Sequence, residues 1–180
     1  KKCILAEKLE AFMRNEFLLC SVFALLVGCS SSRLTPQQKV VKSAWTAQKV
    51  HEAIENKKMA VEINYVIPFR AGMKHLDYGY DIRLSGDTLY SYLPYYGRAY
   101  NIPYGGGKGL VFNAPIQDYV VSNPKKGLTK MDIYVENDED RYAYMMEIFD
   151  NGQVNLLVRA QKREQILFRG KLVIKDEKEQ

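Results

Sequence analysis

The sequence predicts an α+β domain: one N-terminal helix, then a curved, mainly antiparallel β-meander of about eight strands, barrel-like if the sheet closes. Three observations carry this. Apolar positions recur at helical spacing over residues 36–56, and from residue 59 they alternate with a period of two. The connections between successive alternating runs are short, which suits hairpins and not crossovers. A sheet of that many strands must curl, close or split into layers, and sequence leaves the choice open.

The helix has a readable start. Thr35 suits the N-cap, Pro36 the first helical position and Gln38 the third residue after the cap. Val40, Ala44, Ala47, His51 and Ile54 follow on one stripe, widened by Val41 and Val50, and Asn56-Lys57-Lys58 suits the end. Such a helix is expected to cover one face of the sheet or plug one end.

Strands are expected near residues 59–67, 77–85, 88–93, 109–114, 117–122, 129–137, 141–149 and 153–174, the last region holding two. Their inward residues would be Val61, Ile63, Tyr65 and Ile67; Tyr78, Tyr80, Ile82 and Leu84; Met131, Ile133 and Val135; Val154, Leu156, Val158 and Ala160. Turns fall at Ser85-Gly86-Asp87, at Asn137 to Asp140 and at Lys162-Arg163-Glu164. Asn151-Gly152 reads as a type I′ hairpin turn, since both residues tolerate positive φ.

Upstream of the helix the chain carries an address. Residues 17–28, FLLCSVFALLVG, are apolar and uncharged. Twelve residues are too few for a span of about 20 but suit a signal-peptide core, and Met13-Arg14 offers a start and a minimal basic flank. Leu26-Val27-Gly28-Cys29 followed by Ser30-Ser31-Ser32 resembles the lipobox of bacterial lipoproteins. That resemblance implies cleavage after Gly28 and acylation of Cys29, which would tie the chain to a membrane. An ordinary signal peptide, or a buried helix with an incidental Cys, is the alternative. The organisation expected is therefore residues 1–28 as upstream residues and signal peptide, 29–35 as acylated Cys and tether, and 36–180 as one globular domain.

Composition narrows the function classes. The three Cys are Cys3, Cys20 and Cys29, so the body beyond the lipobox has neither a disulfide framework nor a Cys-based zinc site. The net charge of +5 is spread along 180 residues without a Lys/Arg-dense stretch, which argues against nucleic acid as partner. Thirteen Tyr against one Trp is the unusual count, and it concentrates in one place.

Residues 92–109 read YLPYYGRAYNIPYGGGKG. Leu93-Pro94-Tyr95-Tyr96-Gly97-Arg98-Ala99-Tyr100 resembles the hallmark of a family of small lipoproteins from Bacteroidetes-type bacteria, built on a domain of unknown function. Asn151-Gly152, Arg163-Glu164-Gln165-Ile166 and Gly170 fit the same family's C-terminal pattern. The likeness covers roughly residues 50–175 and carries over no catalytic residue, since none is established for the family. Surface-exposed lipoproteins of such bacteria usually carry acidic residues just after the acylated Cys. Ser30, Ser31, Ser32 and Arg33 are neutral or basic, which implies the outer membrane with the body facing the periplasm.

Tyr92, Tyr95, Tyr96, Arg98, Tyr100 and Tyr104 are the candidate contacts for a small amphipathic ligand or an envelope protein. Tyrosine offers an apolar face and a hydroxyl, and Arg98 could fork onto a carboxylate or phosphate. The structural reading is that these Tyr pack, while Pro94, Gly97 and Pro103 shape a strand crossing. Gly105-Gly106-Gly107-Lys108 lacks the following Ser or Thr and helix of a phosphate loop, so it reads as a turn. His51 and His75 have no ligand spacing, and Asn137 to Asp140 lacks the spacing of a calcium loop. No catalytic residue, metal ligand or cofactor is assigned. The function expected is a non-enzymatic envelope binding or scaffolding module. The rival is an envelope hydrolase or isomerase using carboxylates and Tyr, with Asp77, Asp81 and Asp87 nearest the motif. Assembly through a sheet edge is a third reading. The tail 175–180 is expected to fray.

Overall fold

The computed structural model describes residues 35–77, 79–100 and 109–174. The apolar run 17–28, Cys29 and the tether lie outside the described residues, as do Tyr78, Tyr104 with its glycine run, and the tail 175–180. Contacts divide the chain into Lys1–Gln38 and Lys39–Gln180. Of the first unit only residues 35–38 are described, and they open the helix.

Helix α1 spans Pro36–Glu55. Its start is a reciprocal capping box: the Gln38 N–H donates to Thr35 Oγ1 at 3.3 Å and the Thr35 N–H to Gln38 Oε1 at 2.9 Å. The helix ends where Lys57 turns left-handed at φ 48°. Burial departs from the expected stripe. Val50 and Ile54 enter the core, whereas Val40, Val41, Ala44 and His51 stay exposed. Full burial is confined to the last two turns, so a helix-period pattern overstates how much of α1 is packed.

Nine strands lie among the described residues: β1 (Lys58–Pro68), β2 (Lys74–His75), β3 (Asp81–Ser85), β4 (Thr88–Leu93), β5 (Leu110–Lys125), β6 (Leu128–Glu136), β7 (Arg141–Phe149), β8 (Gln153–Ala160) and β9 (Ile166–Leu172). All pair antiparallel with their neighbours, and β9 returns to pair with β1. Eight strands therefore close into a barrel, in the order β1-β3-β4-β5-β6-β7-β8-β9, with β2 paired to the far part of β1. An even number lets a fully antiparallel ring close, and closure removes the edges an open sheet would have to protect.

Three details correct the strand reading. The runs expected at 109–114 and 117–122 are one strand, β5, whose first half pairs with β4 and whose second half pairs with β6. Pro115 and a register shift between Ile116 and Asp118 mark the hand-over. In β1 a bulge between Ile63 and Tyr65 reverses the alternation, so Val66 is buried and Tyr65 is exposed. At the β7–β8 turn only Gly152 has positive φ (80°), and it donates to the Phe149 carbonyl at 2.8 Å. That is a three-residue loop with a glycine bulge, not type I′.

The barrel interior is filled. Tyr142, Tyr144, Phe168, Leu93, Leu110, Met131, Met146 and Ile148 are among its fully buried side chains. At one end of the ring lie the β3–β4, β5–β6 and β7–β8 turns, together with the C-terminus of α1. At the other end lie the β6–β7 turn, the β8–β9 loop and the segment that follows β4.

Candidate functional site

The motif of residues 93–100 leaves β4 and crosses that second end. β4 and β8 stand opposite one another in the ring, four strands apart by either route. The segment Pro94–Tyr100 bridges them. Ala99 forms an isolated β-bridge with Arg163, the Tyr100 N–H donates to the Lys162 carbonyl at 2.8 Å, and the Glu164 N–H donates to the Arg98 carbonyl at 2.9 Å. The motif is thus a strap over the barrel mouth.

Tyr95 lies under the strap. Its ring packs on the core, and its hydroxyl reaches the Glu164 carbonyl at 2.7 Å and the Arg98 carbonyl at 2.9 Å. Burial, then the nearby Glu164 carboxylate, pushes its pKa up to about 12. Gly97 has a steric reason to be glycine: a Cβ there would sit 2.5 Å from the Tyr95 hydroxyl oxygen. The guanidinium of Arg163, itself buried, lies 5.7 Å from the Tyr95 ring centre and pairs with Glu139.

The loop under the strap is held by two buried carboxylates. Asp140 accepts the N–H groups of Arg141 at 2.8 Å, Gln161 at 3.1 Å and Lys162 at 3.0 Å, tying the β6–β7 turn to the β8–β9 loop. Glu164 accepts Arg70 Nε at 2.9 Å and the Arg98 N–H at 3.4 Å. The hydrogen bond from Arg70 holds the Glu164 carboxyl below its usual range. Glu52 and Glu136 are likewise lowered by cationic partners. Downward shifts suit ion pairing and are the wrong direction for a general acid. Among the described residues no three of His, Cys, Asp and Glu gather closely enough to hold a metal ion.

The candidate contacts therefore separate. Tyr95 faces inward. Tyr96, Arg98 and Tyr100 face solvent on the strap, and Lys74 of β2 lies 4.9 Å over the Tyr96 ring. Tyr92 stands on the outer wall of β4, where it stacks on Tyr80 at 5.6 Å with 21° between the rings. Beside it, Arg83 of β3 lies 5.7 Å from the ring centre of Tyr90 and forms an ion pair through Nε with Asp81 at 3.1 Å. Sequence reasoning singled out neither Tyr80 nor Arg83 as a contact. The register of the β3–β4 hairpin, which sets Arg83 opposite Tyr90 and Asp81 opposite Tyr92, was the available signal.

Residues 42–172 match the model of a family described as a domain of unknown function, DUF4251. Among solved structures, the chain resembles a crystal structure of a DUF4251 family protein from Bacteroides eggerthii, with a TM-score of 0.57 and 12% identity. The similarity covers 72% of this chain and 88% of that one. At that identity the likeness speaks to fold. A search of curated proteins found no match.

Proposed function

We propose that this chain, which belongs to the DUF4251 family of unknown function, is a lipid-anchored module of the cell envelope that binds or scaffolds through its outer surface. The observation that carries this reading is the filled and strapped barrel. Side chains occupy the interior and Pro94–Tyr100 crosses one mouth, so contact chemistry belongs on the exterior. There Tyr92, Tyr96, Tyr100 and Arg98 are solvent-facing, a combination of aromatic faces, hydroxyls and a fork-shaped cation suited to amphipathic or protein partners.

The anchoring half of the proposal rests on the order apolar run, Gly28, Cys29, polar tether. The absence of acid in Ser30 to Arg33 supports the outer membrane with the body in the periplasm. Labelled palmitate fed to cells expressing the full chain should appear in the protein and disappear in Cys29→Ser, which should also leave the membrane fraction. Retention of both by Cys29→Ser rejects lipid anchoring. A photo-crosslinking residue at position 96 or 100 in the anchored chain then tests the contact surface. A discrete envelope adduct is expected from these positions and not from position 130 on β6.

A further inference from the structure

The outer wall carries a second feature that the strap does not use. One cross-strand row runs Asn113 (β5), Tyr90 (β4), Arg83 (β3), Ala60 (β1), then Val173, whose N–H donates to the Ala60 carbonyl at 2.8 Å. At ordinary strand spacing this row is about 19 Å long. Two depressions lie along it, about 710 Å³ and 410 Å³, and both are lined by Arg83 and Tyr90. The larger exists because Ala60 is small between the long side chains of Arg83 and Lys58. The smaller is floored by Tyr90, Tyr92 and Val111.

From this juxtaposition we infer a binding groove for an oligosaccharide of pyranose rings carrying a carboxylate. The inference rests on the binding-module reading above and supplies its ligand class. Tyr90 and Tyr92 line the groove. With one face of Tyr92 held by Tyr80 and one face of Tyr90 by Arg83, each ring is fixed in place and leaves its remaining face and edge for the C–H faces of sugar rings. Between them stand groups that exchange hydrogen bonds with hydroxyls: Asn113, Ser85 and the Tyr90 hydroxyl, all on the groove walls. Charge selects an acid. Arg83 uses Nε on Asp81 and keeps its terminal nitrogens, while Lys58 is exposed and makes no ion pair among the described residues. Two cations against one carboxylate leave the groove positive. An acyl chain would want an enclosed apolar cavity, and the interior is filled. An extended peptide would want a free strand edge, and Ala60, Arg83 and Tyr90 all have paired neighbours on both sides.

The test is calorimetric titration of the full chain, in a non-glycosidic detergent, with trigalacturonate, maltotriose and oleate. Trigalacturonate should bind, and maltotriose should bind at least tenfold more weakly. Lys58→Glu and Tyr90→Ser should each weaken trigalacturonate at least tenfold while thermal melts stay cooperative. Lys130→Glu, which changes net charge equally on another wall, should not. Equal binding of maltotriose, preference for oleate, insensitivity to both groove variants, or no heat with a chain that melts normally each overturns the proposal. If position 96 still crosslinks an envelope partner while trigalacturonate gives no heat, the binding module stands and the groove assignment falls.

Discussion

The Tyr95 hydroxyl donates across the barrel mouth to the backbone carbonyl of Glu164, 2.7 Å away and 69 residues on in the chain. One end of this bond belongs to the segment after β4 and the other to the loop before β9, so it closes the strap against the opposite side of the ring. The run Leu93–Tyr100 is legible in these terms. Pro94 and Tyr95 direct the chain across the mouth, Gly97 makes room for the ring beneath it, and Arg98 and Ala99 dock on the β8–β9 loop.

That arrangement predicts a conditional cost for a methyl group. Gly97→Ala should lower stability by about 1–3 kcal/mol, since the added Cβ overlaps the Tyr95 ring. In a Tyr95→Ala background the same change should cost little, because the obstructing ring is gone. Urea midpoints of the four proteins give the coupling energy directly. Equal costs in both backgrounds would remove the steric account of Gly97.

Stability should fall at both extremes of pH, for opposite reasons. Tyr95 and Tyr144 are both held above the usual tyrosine value, chiefly by burial. The folded state therefore keeps protons that the unfolded chain loses above pH about 10. The contribution is complete below that point and declines as pH rises toward 12. Tyr95→Phe should flatten part of this alkaline slope. Glu164 has the reverse sign, because Arg70 lowers its carboxyl. Its contribution is present above the ordinary carboxylate range and is lost as pH falls through the lowered value. Glu164→Gln should flatten the acid limb.

Two neighbouring core tyrosines should respond oppositely to loss of the hydroxyl. Tyr144 donates to Ser91 Oγ at 2.8 Å, and Ser91 in turn donates to the Leu110 carbonyl at 2.7 Å. Tyr144→Phe should cost about 1 kcal/mol. Among the described residues the buried Tyr142 hydroxyl meets no partner in hydrogen-bond geometry, with Asn137 nearby. Tyr142→Phe removes an unsatisfied group, keeps the stack on Phe112 at 4.8 Å, and should be neutral or stabilising by up to about 1 kcal/mol. Melting midpoints of the two variants, which differ by one oxygen each, decide the matter.

Ring closure should depend on Gly170. It pairs with Ile63 at the bulge in β1, and a Cβ there would run into the Glu62 carbonyl, which is backbone and cannot swing aside. Gly170→Ala should cost about 2–3 kcal/mol. Gly72→Ala, with nothing within 4 Å of its Cβ, should stay within about 0.5 kcal/mol of the parent. Comparable denaturant midpoints for the two variants would show that β9 and β1 tolerate separation.

Local order was written in the sequence wherever one residue's chemistry acts on its near neighbours. Thr35-Pro36-Gln38 specified the helix start, and period-two alternation located Met131 to Val135 and Val154 to Val158 inside the barrel. What alternation could not carry is any event that resets its phase. The bulge before Tyr65 does so, as does Pro115 within a strand that changes partners midway. Nor could helical spacing say that only Val50 and Ile54 of α1 are fully buried, because burial depends on what the rest of the chain brings there. The same holds for the tyrosines. Their clustering along residues 90–100 is a fact of sequence. Tertiary structure alone turned Tyr95 inward beneath Gly97, left Tyr96 and Tyr100 outside, and set Tyr92 beside Tyr80 and Tyr90 beside Arg83. Those pairings come from ring closure and cross-strand register, and both join residues whose separation along the chain is set by the fold.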